Sequence, residues 1–371
     1  MKIIFVITRA DTVAGAQIHV RDLSLALAER GHSALVISGA RGEFTRMLEE
    51  KEIECVSVPE LQRRIDPIRD FQAFWKIKKL IRDVRPDLVS LHSGKAGILG
   101  RIVCRVLGQA CLFTAHGWSF TPGVGGRQQW VFKMLERAVE SFSSRIICVS
   151  EYDRQLAIEA GMNPARVVTI HNGMPNIPHL ELADAGRSGD VVGIMVARFD
   201  RQKDHETLIS ALEGIDDLRL ILVGEGPALE ACKGMVERKG LSNRVVFKGY
   251  TRNVQQHLME AQIFLLISNW EGFPRTTLEA MRGGLPCVVS NVGGSAEALE
   301  EGRTGYVVER GDILGLRERL VHLVKNPELR TSMGTLGRER YLEEFTFSRM
   351  FEETTRIYED VVGKGRGRFG S

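Results

Sequence analysis

Two carboxylates eight positions apart, Glu271 and Glu279 in Asn-Trp-Glu-Gly-Phe-Pro-Arg-Thr-Thr-Leu-Glu-Ala-Met, are the residues of this chain best placed to do chemistry. They follow the apolar run Ile263–Ile267 and straddle a break at Gly272 and Pro274, with Phe273 between. One carboxylate therefore falls at a strand's end and the other on the helix beyond it. Proline leads into a helix whose first N–H groups, from Arg275, Thr276 and Thr277, have no intrahelical acceptor. Those donors and the positive end of the helix dipole favour a phosphate. Glu271 then stands where it could accept from sugar hydroxyls, and Glu279 where it could take both hydroxyls of a ribose. Alone, the pair reads more readily as a capping carboxylate and a solvated helix glutamate; the strand-turn-helix setting reverses that and points to a site.

A second set of charges follows another strand, in Ala197-Arg198-Phe199-Asp200-Arg201-Gln202-Lys203-Asp204. Arg198 as a fork and Lys203 as a point charge can converge on one diphosphate; by themselves they are ordinary loop charges. Glycine turns end further strands: Val223-Gly224-Glu225-Gly226-Pro227, Phe247-Lys248-Gly249-Tyr250 and Gly293-Gly294-Ser295. They allow backbone to approach a planar base, although such turns are common in any α/β protein. His116 stands just past the strand Ala110–Thr114, a place a structural histidine also fills. The loop Val13-Ala14-Gly15-Ala16 precedes the helix Gln17–Glu29 and could present N–H groups to an acceptor. Its spacing is not GxGxxG, which argues against a nicotinamide enzyme.

Short β-branched runs alternate with amphipathic helical patterns throughout, which predicts parallel sheets covered on both faces. Seven strands are expected in the first half, from Lys2–Ile7 to Val167–Ile170, and six in the second, from Val191–Val196 to Gly305–Val308. The fold class is α/β, two doubly wound Rossmann-like domains facing a central cleft, with ligands at the carboxyl ends of strands. The first domain is placed at 1–174 and a linker at 175–190, where prolines and glycines interrupt any period. The second domain takes 191–345, a C-terminal helix 346–362 that packs back on the first domain, and 363–371 a disordered tail.

Composition limits the function classes. The 371 residues are 43% hydrophobic and 26% charged, enough for two buried cores. Residues 1–176 hold 24 Lys/Arg against 18 Asp/Glu, so the small net charge of +3 conceals a basic first half. Nucleic acid is not an expected partner. The six cysteines fall singly and read as buried thiols of a reducing compartment. No His or Cys pair has metal-ligand spacing, so no zinc site is expected. The opening run Ile3–Ile7 reads as a first strand and not a signal peptide, and no apolar stretch approaches a membrane span.

Together these features resemble the retaining glycosyltransferases of family 4, with their two-domain GT-B architecture. The resemblance rests on Glu271–Glu279 as the E-x7-E element, Arg198 and Lys203 as the basic pair, Val223–Pro227 as the VGxGP turn, Asn172-Gly173 and His116. It covers nearly the whole chain in the family's order. It implies that Arg198 and Lys203 bind a donor diphosphate, Glu279 the ribose and Glu271 the donor-sugar hydroxyls. By the same resemblance, His116 helps position the transferred sugar and Gly249 and Tyr250 flank the base. Two departures are Gly15-Ala16, where the family carries Gly-Gly, and Ala197, where it carries glycine. The stretch Leu91-His92-Ser93-Gly94-Lys95-Ala96-Gly97 with Thr114–Phe120 resembles the branch that builds bacterial capsule, exopolysaccharide and lipid-linked oligosaccharides.

The expected activity is transfer of a hexose or N-acetylhexosamine from a nucleotide sugar, a UDP-sugar in the first instance, with retention. The acceptor is a glycan or a polyprenyl-diphosphate-linked sugar. Catalytic roles fall to Glu271, His116, Arg198 and Lys203. Donor contacts fall to Arg198, Lys203, Gly224, Gly249, Tyr250, Glu271, Gly272, Phe273, Arg275, Thr276, Thr277 and Glu279, and acceptor contacts to Gly15, Ala16 and His116. No cofactor and no metal are expected, since the basic pair and helix N–H groups can stabilise the leaving diphosphate. The rival readings are a silent sugar-nucleotide-binding scaffold, excluded by any turnover, and a nucleotide-sugar epimerase or phosphorylase, separated by product formed without acceptor. The segment 61–85, with eight Lys/Arg against three Asp, suggests docking of a cytoplasmic enzyme on an anionic membrane. There Phe71, Phe74, Ile77, Ile81 and Val84 are expected to pack on the sheet.

Overall fold

The computed structural model describes residues 1–123, 127–177, 179–187, 189–251 and 253–366. The chain forms two compact units, one of Met1–His171 together with the segment from Met350 onward, the other of Asn172–Arg349. The first contains β1 (Lys2–Ile7), β2 (Ser33–Ser38), β3 (Glu54–Ser57), β4 (Leu88–His92), β5 (Cys111–Ala115), β6 (Arg145–Cys148) and β7 (Val167–Thr169). They form a parallel sheet in the order β3-β2-β1-β4-β5-β6-β7. The second contains β8 (Val191–Val196), β9 (Leu218–Val223), β10 (Val245–Gly249), β11 (Ile263–Leu266), β12 (Cys287–Ser290) and β13 (Gly305–Val308), ordered β10-β9-β8-β11-β12-β13. Both are the doubly wound sheets expected from the alternation of elements.

Burial explains the runs. Ile3 to Ile7 are shielded on both faces of β1, and β4 and β5 are buried along their whole length. Parallel strands covered by helices carry continuous apolar runs for this reason. Ile4, Val6, Leu35, Val89, Leu91 and Phe113 share the core of the first unit. The helix Gly94–Leu107 lies close on this sheet because Gly97 and Gly100 leave room; a Cβ there would meet Phe113 at 2.4 Å and Leu91 at 2.3 Å. On the same helix, buried Arg101 donates to the Gly97 carbonyl at 2.8 Å, pairs with buried Glu136 and lies over the Phe113 ring. Burial pushes the Glu136 carboxyl up against the opposing pull of Arg101.

The helix Pro67–Val84 shows how local signals and packing divide the work. Asp66 caps it by accepting from the Ile68 and Arg69 amides, each at 3.1 Å, and Pro67 supplies the first turn. Ala73, Ile77 and Ile81 form the buried stripe, with Phe74 and Val84 packed beside it. Phe71 does not join them. It lies roughly 120° around the helix from Ile77, beyond the stripe, and is 64% exposed beside Trp75.

Segment 175–190, expected as a linker, belongs to the second unit. Ala183 donates to the Gly283 carbonyl at 3.0 Å, and buried Arg330 donates to the carbonyls of Ala185 and Arg187 at 2.7 and 2.9 Å. An arginine distant in sequence satisfies this backbone in place of a ladder, so composition gives no hint of its attachment. The unit boundary falls at His171/Asn172 instead of after residue 174. The last helix runs Phe347–Arg366 and so takes in residues 363–366 of the expected tail. Residues 367–371 of that tail lie outside the described residues.

Candidate active site

In the second unit the strand order reverses between β8 and β11, the kind of switch point at which open α/β sheets bind ligands. The loops leaving these two strands are stitched together. Lys203 and Ser268 form an antiparallel bridge, the Asp204 amide donates to the Ile267 carbonyl at 2.9 Å, and the Asn269 amide donates to the Gln202 carbonyl at 2.7 Å. Lys203 is thereby delivered to Glu271, and its Nζ donates to Oε1 in an ion pair with both side chains largely buried. Ser268 Oγ donates to the same oxygen at 2.6 Å, and Gln202 Nε2 donates to Oε2 at 3.1 Å. A carboxylate offers about four lone-pair sites, so these three donors leave Oε2 able to accept about one more. Glu271 is thus a braced carboxylate. Arg198 leaves the same loop, half exposed, with Nε 3.6 Å from Asp200.

The glycines between these loops are fitted to backbone. Gly224 (φ +139°) and Gly226 (φ +153°) would place a Cβ 2.1 and 2.2 Å from the carbonyl oxygens of Ala197 and Phe199. The turn after β9 therefore lies directly against the loop carrying Arg198. Gly293 (φ +56°) would place its Cβ 1.9 Å from the Glu271 carbonyl oxygen, and the Gly294 amide donates to the Gly272 carbonyl at 2.8 Å. The Gly293-Gly294 turn, which sequence alone left weak, is what seats Glu271. Gly249 ends β10 and its carbonyl accepts from the Gly224 amide at 2.8 Å; Tyr250 beside it is exposed.

The helix Arg275–Arg282 starts at Arg275 with Pro274 in the capping position, so the N–H groups of Arg275, Thr276 and Thr277 form its first turn. Thr276 and Glu279 are half-buried. Thr277 is fully buried, and its Oγ1 has no hydrogen-bond partner among the described residues. Phe273, expected at the donor, turns its ring inward. Its ring is buried against Phe345 at 5.4 Å and its carbonyl accepts from Asn172 Nδ2 at 2.8 Å, so its side chain serves the interior.

In the first unit the order reverses between β1 and β4. His92 ends β4, and His116 follows β5. The His92 Nδ1 and His116 Nε2 atoms are 3.0 Å apart, and the His19 ring stands edge-on to His116 at 4.9 Å. One nitrogen from each of the three lies within 4.8 Å of the others, a set that could hold a metal ion. Sequence spacing does not reveal this set, because the helix Gly15–Glu29 and the ends of β4 and β5 bring together residues 19, 92 and 116. Gly15 and Ala16 are the first two residues of the helix Gly15–Glu29, two positions earlier than the periodicity suggests, and Ala14 caps it. Both residues therefore lie in the turn whose N–H groups lack intrahelical acceptors.

Residues 13–175 match the family model described as Glycosyltransferase Family 4, and residues 184–340 match that of Glycosyl transferases group 1. Between them the matches take in most of both units. The chain is a family 4 glycosyltransferase. The enzyme is 28% identical over 342 residues to the Escherichia coli UDP-Gal:alpha-D-GlcNAc-diphosphoundecaprenol alpha-1,3-galactosyltransferase, covering 86% of this chain and 87% of that protein. It is 26% identical to the N-acetyl-alpha-D-glucosaminyl L-malate synthase of Bacillus anthracis, over 98% of both chains. Among solved structures it resembles Anabaena HepE in complex with UDP, with TM-score 0.83 and 20% identity over 97% of this chain and 100% of that one. Sucrose-phosphate synthase from Thermosynechococcus elongatus gives TM-score 0.84 at 20% identity, over 98% and 99%. These structural likenesses establish the GT-B fold.

The glycosyltransferase holds a further histidine near its basic pair. His205 stacks on Phe199 at 4.1 Å, and burial followed by the neighbouring Lys203 lowers its pKa to about 4. The unfolded chain, with an ordinary histidine near 6.5, binds the proton more readily. Folding stability is therefore full above about pH 6.5 and falls as the pH drops toward 4. His205→Gln should reduce the loss of denaturant midpoint between about pH 7 and pH 5. A midpoint equally pH-sensitive in the variant overturns the assignment.

Proposed function

We propose that this glycosyltransferase transfers a hexose or N-acetylhexosamine from a UDP-sugar, with retention, to a glycan or polyprenyl-diphosphate-linked acceptor in cell-surface polysaccharide synthesis. The observation that carries the reading is the stitched pair of loops at the second unit's switch point, which puts Lys203, Arg198, Glu271 and a helix start in one neighbourhood. Arg198, Lys203 and the amides of Arg275, Thr276 and Thr277 meet the diphosphate and stabilise it most as it leaves. Glu279 takes the ribose hydroxyls, Glu271 accepts from the sugar through Oε2, and Gly224, Gly249, Gly272 and Tyr250 line the base and phosphates with backbone and ring. His116 positions the transferred sugar, and Gly15 and Ala16 face the acceptor. The E. coli relative, named for a UDP-Gal donor and a diphosphoundecaprenol-linked acceptor, supports the substrate classes, as does the complex of HepE with UDP-glucose.

The test is a panel of nucleotide sugars scored by thermal shift and then by transfer to a polyprenyl-diphosphate-linked sugar, with and without EDTA. A bound donor at one hundred times its Kd adds about 2.7 kcal/mol to stability. Transfer should persist in EDTA, because the cationic groups above supply the charge compensation. Product formed without acceptor would favour an epimerase or phosphorylase. Binding without turnover would favour a scaffold, and activity lost in EDTA and restored by manganese would overturn metal independence.

No helix among the described residues is long and apolar enough to cross a membrane. We read the outer face of Pro67–Val84 as the means of reaching a lipid-linked acceptor. Ile68, Phe71 and Trp75 are exposed there, with Ile65 exposed just before the helix, and Lys78 lies over the Trp75 ring at 4.6 Å. Arg63, Arg64 and Lys79 add charge, although Lys79 also pairs with Asp83. Aromatic side chains flanked by Lys and Arg suit the interface of an anionic leaflet, where each basic residue contributes about 1 kcal/mol. Charge reversal at Arg63, Arg64, Lys78 and Lys79 should weaken sedimentation with phosphatidylglycerol vesicles at least about tenfold and spare donor binding. Vesicle binding unchanged by these reversals and insensitive to salt removes this surface from the account.

A further inference from the structure

Gln202 meets Glu271 through a carboxamide whose orientation its neighbours dictate. The side-chain nitrogen lies 3.0 Å from the Trp270 carbonyl oxygen and 3.1 Å from Glu271 Oε2. A carbonyl and a carboxylate oxygen only accept, so the NH2 group must face them and the carboxamide oxygen must lie on the other edge. Among the described residues that oxygen, Oε1, accepts no hydrogen bond, and it is open to solvent instead of sealed inside. The backbone of the same residue is held, since its amide donates to Asp200 Oδ1 at 2.9 Å and its carbonyl accepts from the Asn269 amide at 2.7 Å. The acceptor is therefore fixed in place before any ligand arrives.

Glu271 has little capacity to spare. Lys203, Ser268 and Gln202 occupy three of its about four lone-pair sites, which leaves Oε2 room for about one more proton donor. A hexose carries its hydroxyl and acetamido N–H groups on adjacent ring carbons, and a buried donor left without an acceptor costs affinity. The neighbour of the group that Glu271 takes needs an acceptor of its own. From the 3.1 Å contact and the bond lengths of an amide, Gln202 Oε1 stands about 5.4 Å at most from Glu271 Oε2. Two adjacent donors, each reaching about 2.7–2.8 Å to its acceptor, bridge that distance.

We propose that Gln202 is a specificity-determining residue for the donor sugar: its Oε1 and Glu271 Oε2 form a pair of acceptors that takes two adjacent donor groups of the transferred hexose, one on each oxygen. One carboxamide serves both halves of the pair, because its N–H holds the carboxylate oxygen beside which its own oxygen accepts. All of these groups belong to the second unit. This role rests on the proposed placing of Glu271 at the donor sugar, and adds to it which hexoses fit: those with two neighbouring hydroxyl or N–H groups on the side that meets the pair.

The experiment is binding calorimetry of the full chain with UDP, with UDP-glucose, UDP-galactose and UDP-N-acetylglucosamine, and with the single-deoxy analogues of whichever sugar nucleotide binds most tightly. In the wild type, affinity should fall roughly tenfold or more on removal of the group facing the carboxylate and roughly three- to tenfold on removal of its neighbour. Gln202→Met keeps the length of the side chain and offers only a weak acceptor. It should bind UDP as the wild type does and lose the penalty for removing the neighbouring group. Glu271→Ala should lose the other penalty. A wild-type profile without two adjacent sensitive positions overturns the proposal whether or not either variant folds. Uniform weakening of Gln202→Met toward every analogue, with both sensitive positions retained, makes Gln202 a brace for Glu271 and also overturns it. If Glu271→Ala abolishes no sensitive position, the placing of Glu271 at the sugar falls, and this role with it.

Discussion

The double variant Arg198→Ala, Lys203→Ala should turn over roughly a thousandfold more slowly than the parent enzyme. Each side chain is assigned a charge-assisted contact that strengthens as the diphosphate departs, and losing one such contact costs about 2–4 kcal/mol of transition-state stabilisation. The two act on one leaving group, so the pair falls short of the sum. The structure separates catalysis from stability within this test. Arg198 is half exposed and only loosely paired with Asp200, so Arg198→Ala should slow kcat with the melting temperature nearly unchanged. Lys203 is buried against Glu271, so Lys203→Ala also leaves a carboxylate held, among the described residues, by Ser268 and Gln202 and should lower stability. A double variant within threefold of wild-type turnover would sink the diphosphate clamp.

Gly293→Ala should lower kcat roughly a hundredfold without touching any charged group. Two effects combine. Gly293 has φ +56°, which costs an L-residue about 1–2 kcal/mol. Its Cβ would also stand 1.9 Å from the Glu271 carbonyl oxygen and 2.8 Å from the carbonyl carbon, so the Glu271–Gly272 backbone must move. A misplacement of about 1 Å at a reacting centre suffices for a loss of that size. Gly302→Ala is the matched control: its φ is +72°, but nothing lies within 4 Å of the added Cβ. That control should lose some stability and keep its turnover. Near-normal turnover of Gly293→Ala in a folded protein would mean that the position of Glu271 is not critical.

Much of the fold was legible because parallel strands buried on both faces leave an unmistakable trace. The apolar runs at Lys2–Ile7, Val191–Val196 and Leu218–Val223 are strands with those bounds. Pro274 likewise declared the start of the helix Arg275–Arg282, since proline fixes φ and removes a donor where none is needed. These signals are local, and backbone chemistry enforces them wherever the segment goes. The candidate residues of the site could be picked out in the same way, because Glu271, Glu279, Arg198 and Lys203 all follow recognisable strand ends.

Which of those residues meet was decided by topology. Lys203 and Glu271 are 68 positions apart and come together because β8 and β11 are neighbours whose loops hydrogen-bond along their edges. His19, His92 and His116 share no spacing, and Tyr358 reaches Ser90 only because the last helix returns to the first unit. Packing also settled the side on which an apolar residue falls: Phe71 is outside its helix's buried stripe by a fraction of a turn, and Phe273 is inside because Phe345 waits for it. Local sequence determines whether a segment is a strand or a helix through short-range dihedral and hydrogen-bond preferences. The partner of a buried charge or ring depends on which elements the sheet order makes adjacent, and that information is carried by the whole chain.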